Sequence, residues 1–247
     1  MIIGLIPSRL NSKRLKGKAL LKIDGLPLII HTLRRAKLSK KLNDVYVCTD
    51  SNEIAETVSK YGGKFLITRS SHSNGTERIA EAARNFNLDN GNDLVIDIQG
   101  DEPLVNPNDI DKVINFHKKN TIFDIVVPSQ VFKKPEADNI VKIVSSISGR
   151  ILYMSRSVIP KNFINKPKFY LKHLSIISFK PSILQFYSKL KMTPLEKIEG
   201  IELLRALEND LKLGTFFTKT KSFSVDVMKD YLKAIKIISK DSIRKKY

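Results

Sequence analysis

Hydrophobic residues along the chain follow two alternating rhythms. Short apolar runs at 2–6, 45–48, 64–68, 94–98 and 124–128 have the length and β-branched content of strands, and segments near 27–38, 51–61, 75–87 and 107–119 repeat their apolar positions at helical spacing. Ser51 is placed to cap one of these helices, and Gly62-Gly63 to stop it. This alternation predicts an α/β fold, a mostly parallel sheet with helices packed on it. Ligands of such sheets gather beyond the carboxyl ends of the strands, so the loop after residue 6 and the loop after Ile98 should face one site.

After residue 130 the pattern changes. Runs at 139–144 and 150–154 flank the turn S-S-I-S-G. A strand is expected at 171–179, helices at 181–190 and 195–211, a strand at 215–219 and a closing helix after Asp226. The reading is a single domain over 1–247, with a nucleotide-binding half at 1–130, a smaller mixed half at 131–220 and a closing segment at 221–247. No internal repeat and no Pro-, Gly- or Ser-rich linker interrupts it.

Composition narrows the classes. With 247 residues, 42% of them hydrophobic, the chain can bury a substantial core. No apolar stretch approaches a membrane span, and M-I-I-G-L-I-P-S-R has no basic region ahead of its apolar residues, so no membrane partner and a cytoplasmic location are expected. The lone Cys48 excludes an intramolecular disulfide and a cysteine zinc cluster, and reads as a buried strand thiol. The net charge of +18, from 43 basic and 25 acidic residues, would permit a nucleic-acid partner. Its lysines are spread over predicted helices and the K-D-S-I-R-K-K-Y tail without interleaved aromatics, which reads as solvated helix faces. His31 and His117 fall in helical patterns and read as surface or capping residues.

Three stretches carry candidate chemistry. The first, I-P-S-R-L-N-S-K-R-L-K-G-K, places Arg9, Lys13, Arg14, Lys16 and Lys18 in the loop after the first strand. Guanidinium forks and ammonium groups at a strand end suit a polyanion such as a triphosphate. Gly17 would let backbone approach it, although there is no Walker pattern. The second, D-I-Q-G-D-E-P, turns at Gly100 and would present Asp101 and Glu102 at a strand terminus, where paired acids suit a hard cation such as Mg²⁺. The spacing of Asp97 and Asp101 departs from the D-x-D expected of a glycosyltransferase. The third, H-S-N-G-T-E-R at 72–78, offers small polar groups at a helix start.

In this order and spacing the three stretches resemble the CMP-Kdo synthetases, the 3-deoxy-manno-octulosonate cytidylyltransferases. The likeness continues through M-S-R-S-V-I-P, K-H-L, P-L-E-K-I-E-G-I-E-L-L-R-A-L-E and V-D at 225–226. It implies a nucleotide-diphospho-sugar transferase-like fold, a homodimer joined through the 140–153 region, and CMP transfer from CTP to the sugar acid Kdo with release of pyrophosphate. It also implies that Arg9, Ser12, Arg14 and Lys18 hold the triphosphate, that Ser73, Asn74, Gly75, Arg78 and Gln99 lie near the nucleotide, and that Asp101 and Asp226 bind Mg²⁺. Lys18, Arg14, Asp101 and Asp226 would be catalytic, and Arg156, His173, Glu202 and Arg205 would handle the sugar. The sugar half departs from the family pattern: Ile177 stands where the family has tyrosine and Leu203 where it has glutamine. Another 3-deoxy-ulosonic acid, such as 8-amino-Kdo or a capsular sugar acid, is therefore the alternative substrate.

Overall fold

The computed structural model describes the whole chain except Lys13, Asn90 and residues 134, 135, 137–139, 220 and 221. The strands are β1 (Ile2–Ser8), β2 (Lys22–Ile23), β3 (Leu26–Pro27), β4 (Asp44–Thr49), β5 (Lys64–Ile67), β6 (Leu94–Ile98), β7 (Ile125–Phe132), β8 (Lys142–Ser145), β9 (Ile151–Ser155), β10 (Tyr170–His173), β11 (Ile176–Phe179) and β12 (Leu213–Thr218). The α-helices are α1 (Leu28–Lys37), α2 (Asn52–Lys60), α3 (Gly75–Ala83), α4 (Pro107–Lys119), α5 (Pro181–Tyr187), α6 (Pro194–Glu199), α7 (Leu204–Glu208) and α8 (Met228–Ile238).

Ten strands form one central sheet in the order β5-β4-β1-β6-β11-β7-β10-β8-β9, with β12 on the other edge of β7. From β5 to β6 every pairing is parallel, as strand–helix alternation requires. Antiparallel pairing begins at β11, which inserts between β6 and β7.

Side-chain alternation sorts the core onto the two faces of this sheet. Ile3, Leu5 and Val95 face one way, under Ile79 of α3, Leu184 of α5 and Leu204 of α7. Ile2, Ile6, Ile96 and Ile98 face the other, under Ile30 of α1, Ile54 of α2 and Ile114 of α4. A third cluster joins Leu15, Leu28, Leu104 and Val225 to Ala234 and Ile238 of α8, pinning the loop after β1 and the segment before α8 to the same rim.

Three expectations need correction. The strand read as 171–179 is two strands, because Leu174 and Ser175 sit where the chain changes neighbours, from β8 beside β10 to β6 beside β11. The helix read as 195–211 breaks at Gly200, which takes φ +60°, a left-handed conformation that ends α6. His31 and His117 are buried rather than at the surface. His31 Nε2 lies 2.7 Å from the Ile23 carbonyl, and His117 binds Ser178 Oγ at 2.7 Å and the Phe123 carbonyl at 3.1 Å, so each ties its helix to a neighbouring segment. Finally, β8 begins at Lys142, and Asn139, where that strand was expected to start, lies outside the described residues, as does Lys13.

Candidate active site

The carboxyl ends of β1 and β6 open into a cavity of about 450 Å³, within the size range of small-molecule sites. Pro7, Ser8 and Arg9 enter it from the end of β1, Ser12, Arg14 and Lys18 from the following loop, Gln99, Gly100 and Asp101 from the end of β6, and Asp226 from the segment before α8. His72, Asn74, Gly75 and Arg78 complete the wall.

Two glycines make this convergence possible for different reasons. A Cβ on Gly100 would lie 2.6 Å from the Pro7 carbonyl oxygen, so only glycine lets the ends of β1 and β6 approach so closely. Close approach rather than an unusual φ is its function. Gly17 has φ +61° with open space around it, so its role is to turn the loop into the short 3₁₀ turn Lys18–Leu20 that aims Lys18 inward.

Charge is concentrated at the rim. Lys18 Nζ donates to Asp101 Oδ2 at 2.7 Å, to the Val225 carbonyl at 2.8 Å and to Asp226 Oδ1 at 3.3 Å. Arg14 reaches the same Asp226 oxygen at 2.7 Å. The Val225 N–H donates to the Asp101 carbonyl at 2.9 Å, which fixes the two aspartate segments to each other. Two carboxylates thus converge on one cation.

Glu102 does not join them. It is buried, accepts hydrogen bonds from Ser222 and Ser224, and its carboxyl is held above its ordinary range by that burial. The acidic pair expected at one strand end, Asp101 and Glu102, gives way to the pair the resemblance implies, Asp101 and Asp226, far apart in sequence, because Glu102 turns into the interior.

The helix start at 72–78 is built as follows. Asn74 caps α3 by accepting from the Glu77 N–H at 2.8 Å, while the Ser73 N–H donates to Glu77 Oε2 at 2.9 Å. Ser73 is not part of the cavity wall, which Asn74 and Gly75 form. Arg78 is buried and spends its fork on Thr68 Oγ1 at 2.6 Å and Asp50 Oδ2 at 3.0 Å. His72, which the motif contained without a role, lines the cavity and pairs with Glu81.

The residues expected to handle a sugar lie outside this cavity. Arg156 donates through Nε to the Glu199 carbonyl at 2.8 Å and through Nη2 to that of Gly200 at 3.1 Å. Arg205 is buried in a two-pronged pair with Glu196, at 2.7 and 2.6 Å, and also donates to the Leu190 carbonyl at 3.1 Å. Its position is that of a brace between α6 and α7, and the reading of Arg205 as a sugar ligand is revised on that ground. His173 and Glu202 each keep a buried polar atom, Nε2 and Oε1, without a hydrogen-bond partner among the described residues. Burial lowers the His173 pKa to about 4 and raises that of Glu202. Asp97 shares this property: its Oδ1 is unpartnered, while its Oδ2 accepts from Gln99 Nε2 at 2.7 Å.

A cytidylyltransferase family model matches residues 3–213. A 3-deoxy-manno-octulosonate cytidylyltransferase of Thermodesulfovibrio yellowstonii is 39% identical over 241 residues, covering 92% of this chain and 94% of that one. The chain belongs to the 3-deoxy-manno-octulosonate cytidylyltransferase family. An 8-amino-3,8-dideoxy-manno-octulosonate cytidylyltransferase of Shewanella putrefaciens is 36% identical over 233 residues, covering 93% of this chain and 95% of that one. Among solved structures, a CMP:2-keto-3-deoxy-manno-octonic acid synthetase complexed with CTP superposes with a TM-score of 0.92 at 29% identity, covering 97% of this chain and 98% of the other. The fold predicted from hydrophobic pattern, a large mostly parallel sheet flanked by helices, is the fold of this family. No helix among the described residues is long and apolar enough to cross a membrane.

Proposed function

We propose that this enzyme transfers CMP from CTP to the anomeric hydroxyl of 3-deoxy-D-manno-octulosonate, Kdo, and releases pyrophosphate, as a step toward lipopolysaccharide or another surface glycan. The observation that carries this reading is the meeting of Lys18 and Arg14 with Asp101 and Asp226 at a rim that also bears Arg9 and Ser12. An anionic sugar must attack an anionic α-phosphate, so the first barrier is charge repulsion. Arg9, Ser12 and the amides of the loop after β1 hold the triphosphate. Arg14 and Lys18 release the aspartates and turn to the α-phosphate and the departing pyrophosphate, where negative charge develops. No side chain becomes a covalent nucleophile.

The donor set fits a Mg²⁺ ion. Oxygens of Asp101 and Asp226 already lie 2.7 and 3.3 Å from one ammonium, which stands in for a cation. Among the described residues no group of three or more His, Cys, Asp or Glu side chains converges, so the chain offers two carboxylates and leaves other positions to phosphate oxygens and water, the habit of Mg²⁺. When bound there, the ion would neutralise phosphate charge and acidify the attacking hydroxyl.

Two further parts of the proposal concern context. A homodimer is supported by the large apolar side chains Leu152, Phe169 and Phe217 left exposed toward the antiparallel end of the sheet. A cytoplasmic location is supported by Cys48, buried and unpaired as suits a reducing compartment.

The test is pyrophosphate release by purified protein with CTP and Mg²⁺, offering Kdo, its 8-amino analogue and nine-carbon ulosonic acids separately. Release with Kdo is expected. Release confined to another acid would keep the chemistry and move the substrate, and no release with any of them would overturn the assignment.

A further inference from the structure

The connection from β12 to α8 carries Asp226, one of the two carboxylates at the rim, yet its described residues 222–226 form neither helix nor strand. Its contacts alternate along the chain, as those of an extended segment do. Phe223 and Val225 pack into the apolar cluster of α8, with Val225 fully buried. Ser222 and Ser224 reach Glu102 instead, and Asp226 reaches Lys18 and Arg14.

Glu102 is fixed at its backbone and at its carboxyl group. Its N–H donates to the Gln99 carbonyl at 3.1 Å and its carbonyl accepts from the Val105 N–H at 3.0 Å, so its backbone belongs to the turn that presents Asp101. The residue is 5% exposed, and each carboxyl oxygen takes one hydroxyl: Oε2 that of Ser222, and Oε1 that of Ser224 at 2.9 Å. Two oxygens of one held group and two hydroxyls two residues apart define a single register. A slip of one residue would bring Phe223 or Val225 against the carboxyl group and turn Asp226 away from the rim.

This register matters most when Asp226 gives up its charged contacts. In the reading above, Arg14 and Lys18 turn from the aspartates to the phosphates. Asp226 then loses the two cations that hold it and faces the like charge of Asp101. The bond from the Val225 N–H to the Asp101 carbonyl, at 2.9 Å, and the two hydroxyls on Glu102 still join the segments. Resting on that reading, we propose that Glu102 is a positioning residue for the Mg²⁺ site: through Ser222 and Ser224 it sets the register of the 222–226 segment and so keeps Asp226 opposite Asp101 once the cations have left. Glu102 does not line the cavity and acts through the segment it holds.

Three variants test this. Glu102→Ala removes the carboxyl group. Ser222→Ala/Ser224→Ala removes its partners while leaving Glu102 and the packing of Phe223 and Val225 in place, so it serves where the first variant folds poorly. Glu102→Gln restores the two contacts, because a serine hydroxyl can accept from the amide N–H₂ as well as donate to its oxygen. The Mg²⁺ concentration for half-maximal pyrophosphate release should rise ~10–100-fold in the first two, the range for losing a partner that orients a metal ligand, and stay within ~3-fold of the wild type in Glu102→Gln. At saturating Mg²⁺ and CTP, KM for the sugar acid should stay within about twofold in all three. Without CTP, the rise in Tm produced by millimolar Mg²⁺ should be smaller in the first two variants than in the wild type and Glu102→Gln. A fall in Tm with an unchanged Mg²⁺ requirement would make Glu102 a stabiliser of the fold alone. A Glu102→Gln variant as impaired as Glu102→Ala would mean that the charge, not the register, is used. Either result overturns the proposal. If the wild type turns over no ulosonic acid, the functional reading falls, and the Tm series by itself decides whether Glu102 positions a Mg²⁺ site.

Discussion

Replacing Lys18 by methionine removes one charge from the place where the proposed chemistry concentrates it, and leaves a side chain of similar length. The structure sets the scale. The ammonium makes three contacts, at 2.7, 2.8 and 3.3 Å, and its side chain is 16% exposed. Hydrogen bonds to charged groups contribute about 1.5–3 kcal/mol, but one partner, Asp226, is 34% exposed and screened by water, so a net loss of about 1–2 kcal/mol follows. For a domain of this size that corresponds to a fall in Tm of ~2–8 °C. Turnover should fall further than stability, by ~10²–10³-fold, the effect of losing one preorganised group at a developing charge. The assay is a melting curve with and without millimolar Mg²⁺, in the absence of CTP, beside steady-state pyrophosphate release. In the wild type the ammonium competes with the ion for Asp101 and Asp226; in Lys18→Met it does not, so Mg²⁺ should raise the Tm of the variant more than that of the wild type. Equal Mg²⁺ shifts in both proteins would place the ion elsewhere, and near-normal turnover would remove Lys18 from the mechanism.

Other perturbations probe the scaffold. Gly100→Ala would press a Cβ against the Pro7 carbonyl, so the ends of β1 and β6 must separate; turnover should drop at least ~10-fold with a measurable loss of Tm, and an active, equally stable variant would refute the close-approach argument. Arg205→Leu leaves Glu196 buried without its partner and should cost about 3–5 kcal/mol in denaturant unfolding, partly restored by adding Glu196→Leu; a rise in sugar KM at unchanged stability would return Arg205 to the sugar site. His117, with a pKa lowered to about 4 by burial, stays neutral in the folded chain while the unfolded chain takes up a proton near pH 6.5. The unfolded state therefore binds more protons between these values, and stability falls as pH falls. The stability advantage of the wild type over His117→Gln should shrink by ~2 kcal/mol between pH 7 and pH 5, and a constant difference would show that folding does not lower the His117 pKa.

The parallel half of the sheet was legible because its signals are local. β1, β4, β5 and β6 are apolar runs separated by helices with ordinary caps, such as Ser51, whose Oγ accepts from the Ile54 N–H. The basic and acidic sides of the rim were legible for the same reason, since Arg9, Arg14 and Lys18 follow one strand and Asp101 another, whereas Ser12, Gln99 and Asp226 entered only through the resemblance. What escaped depended on partners distant in sequence. Nothing near Glu102 announces that Ser222 and Ser224 bury it. The switch at Leu174 and Ser175 is invisible in an apolar stretch that reads continuously as strand, because both β10 and β11 satisfy the same alternation and only their neighbours differ. His31 and His117 looked superficial because helical periodicity records which face is apolar, not whether a carbonyl such as that of Ile23 or Phe123 waits beside it.

The insertion of β11 separates the part of the sheet that carries the phosphate rim from the part that follows it. The triphosphate rim is assembled from strand ends held by parallel pairing, where moving Gly100 or Gly75 disturbs everything at once. β11 and the turn that ends α6 are joined to the parallel half differently, through the antiparallel β6–β11 pairing and through packing. Ile177, on β11, and Leu203, just before α7, where the resemblance would put a tyrosine and a glutamine, pack in the same apolar cluster. Substituting a phenol and an amide there removes polar groups without touching Lys18, Asp101 or Asp226.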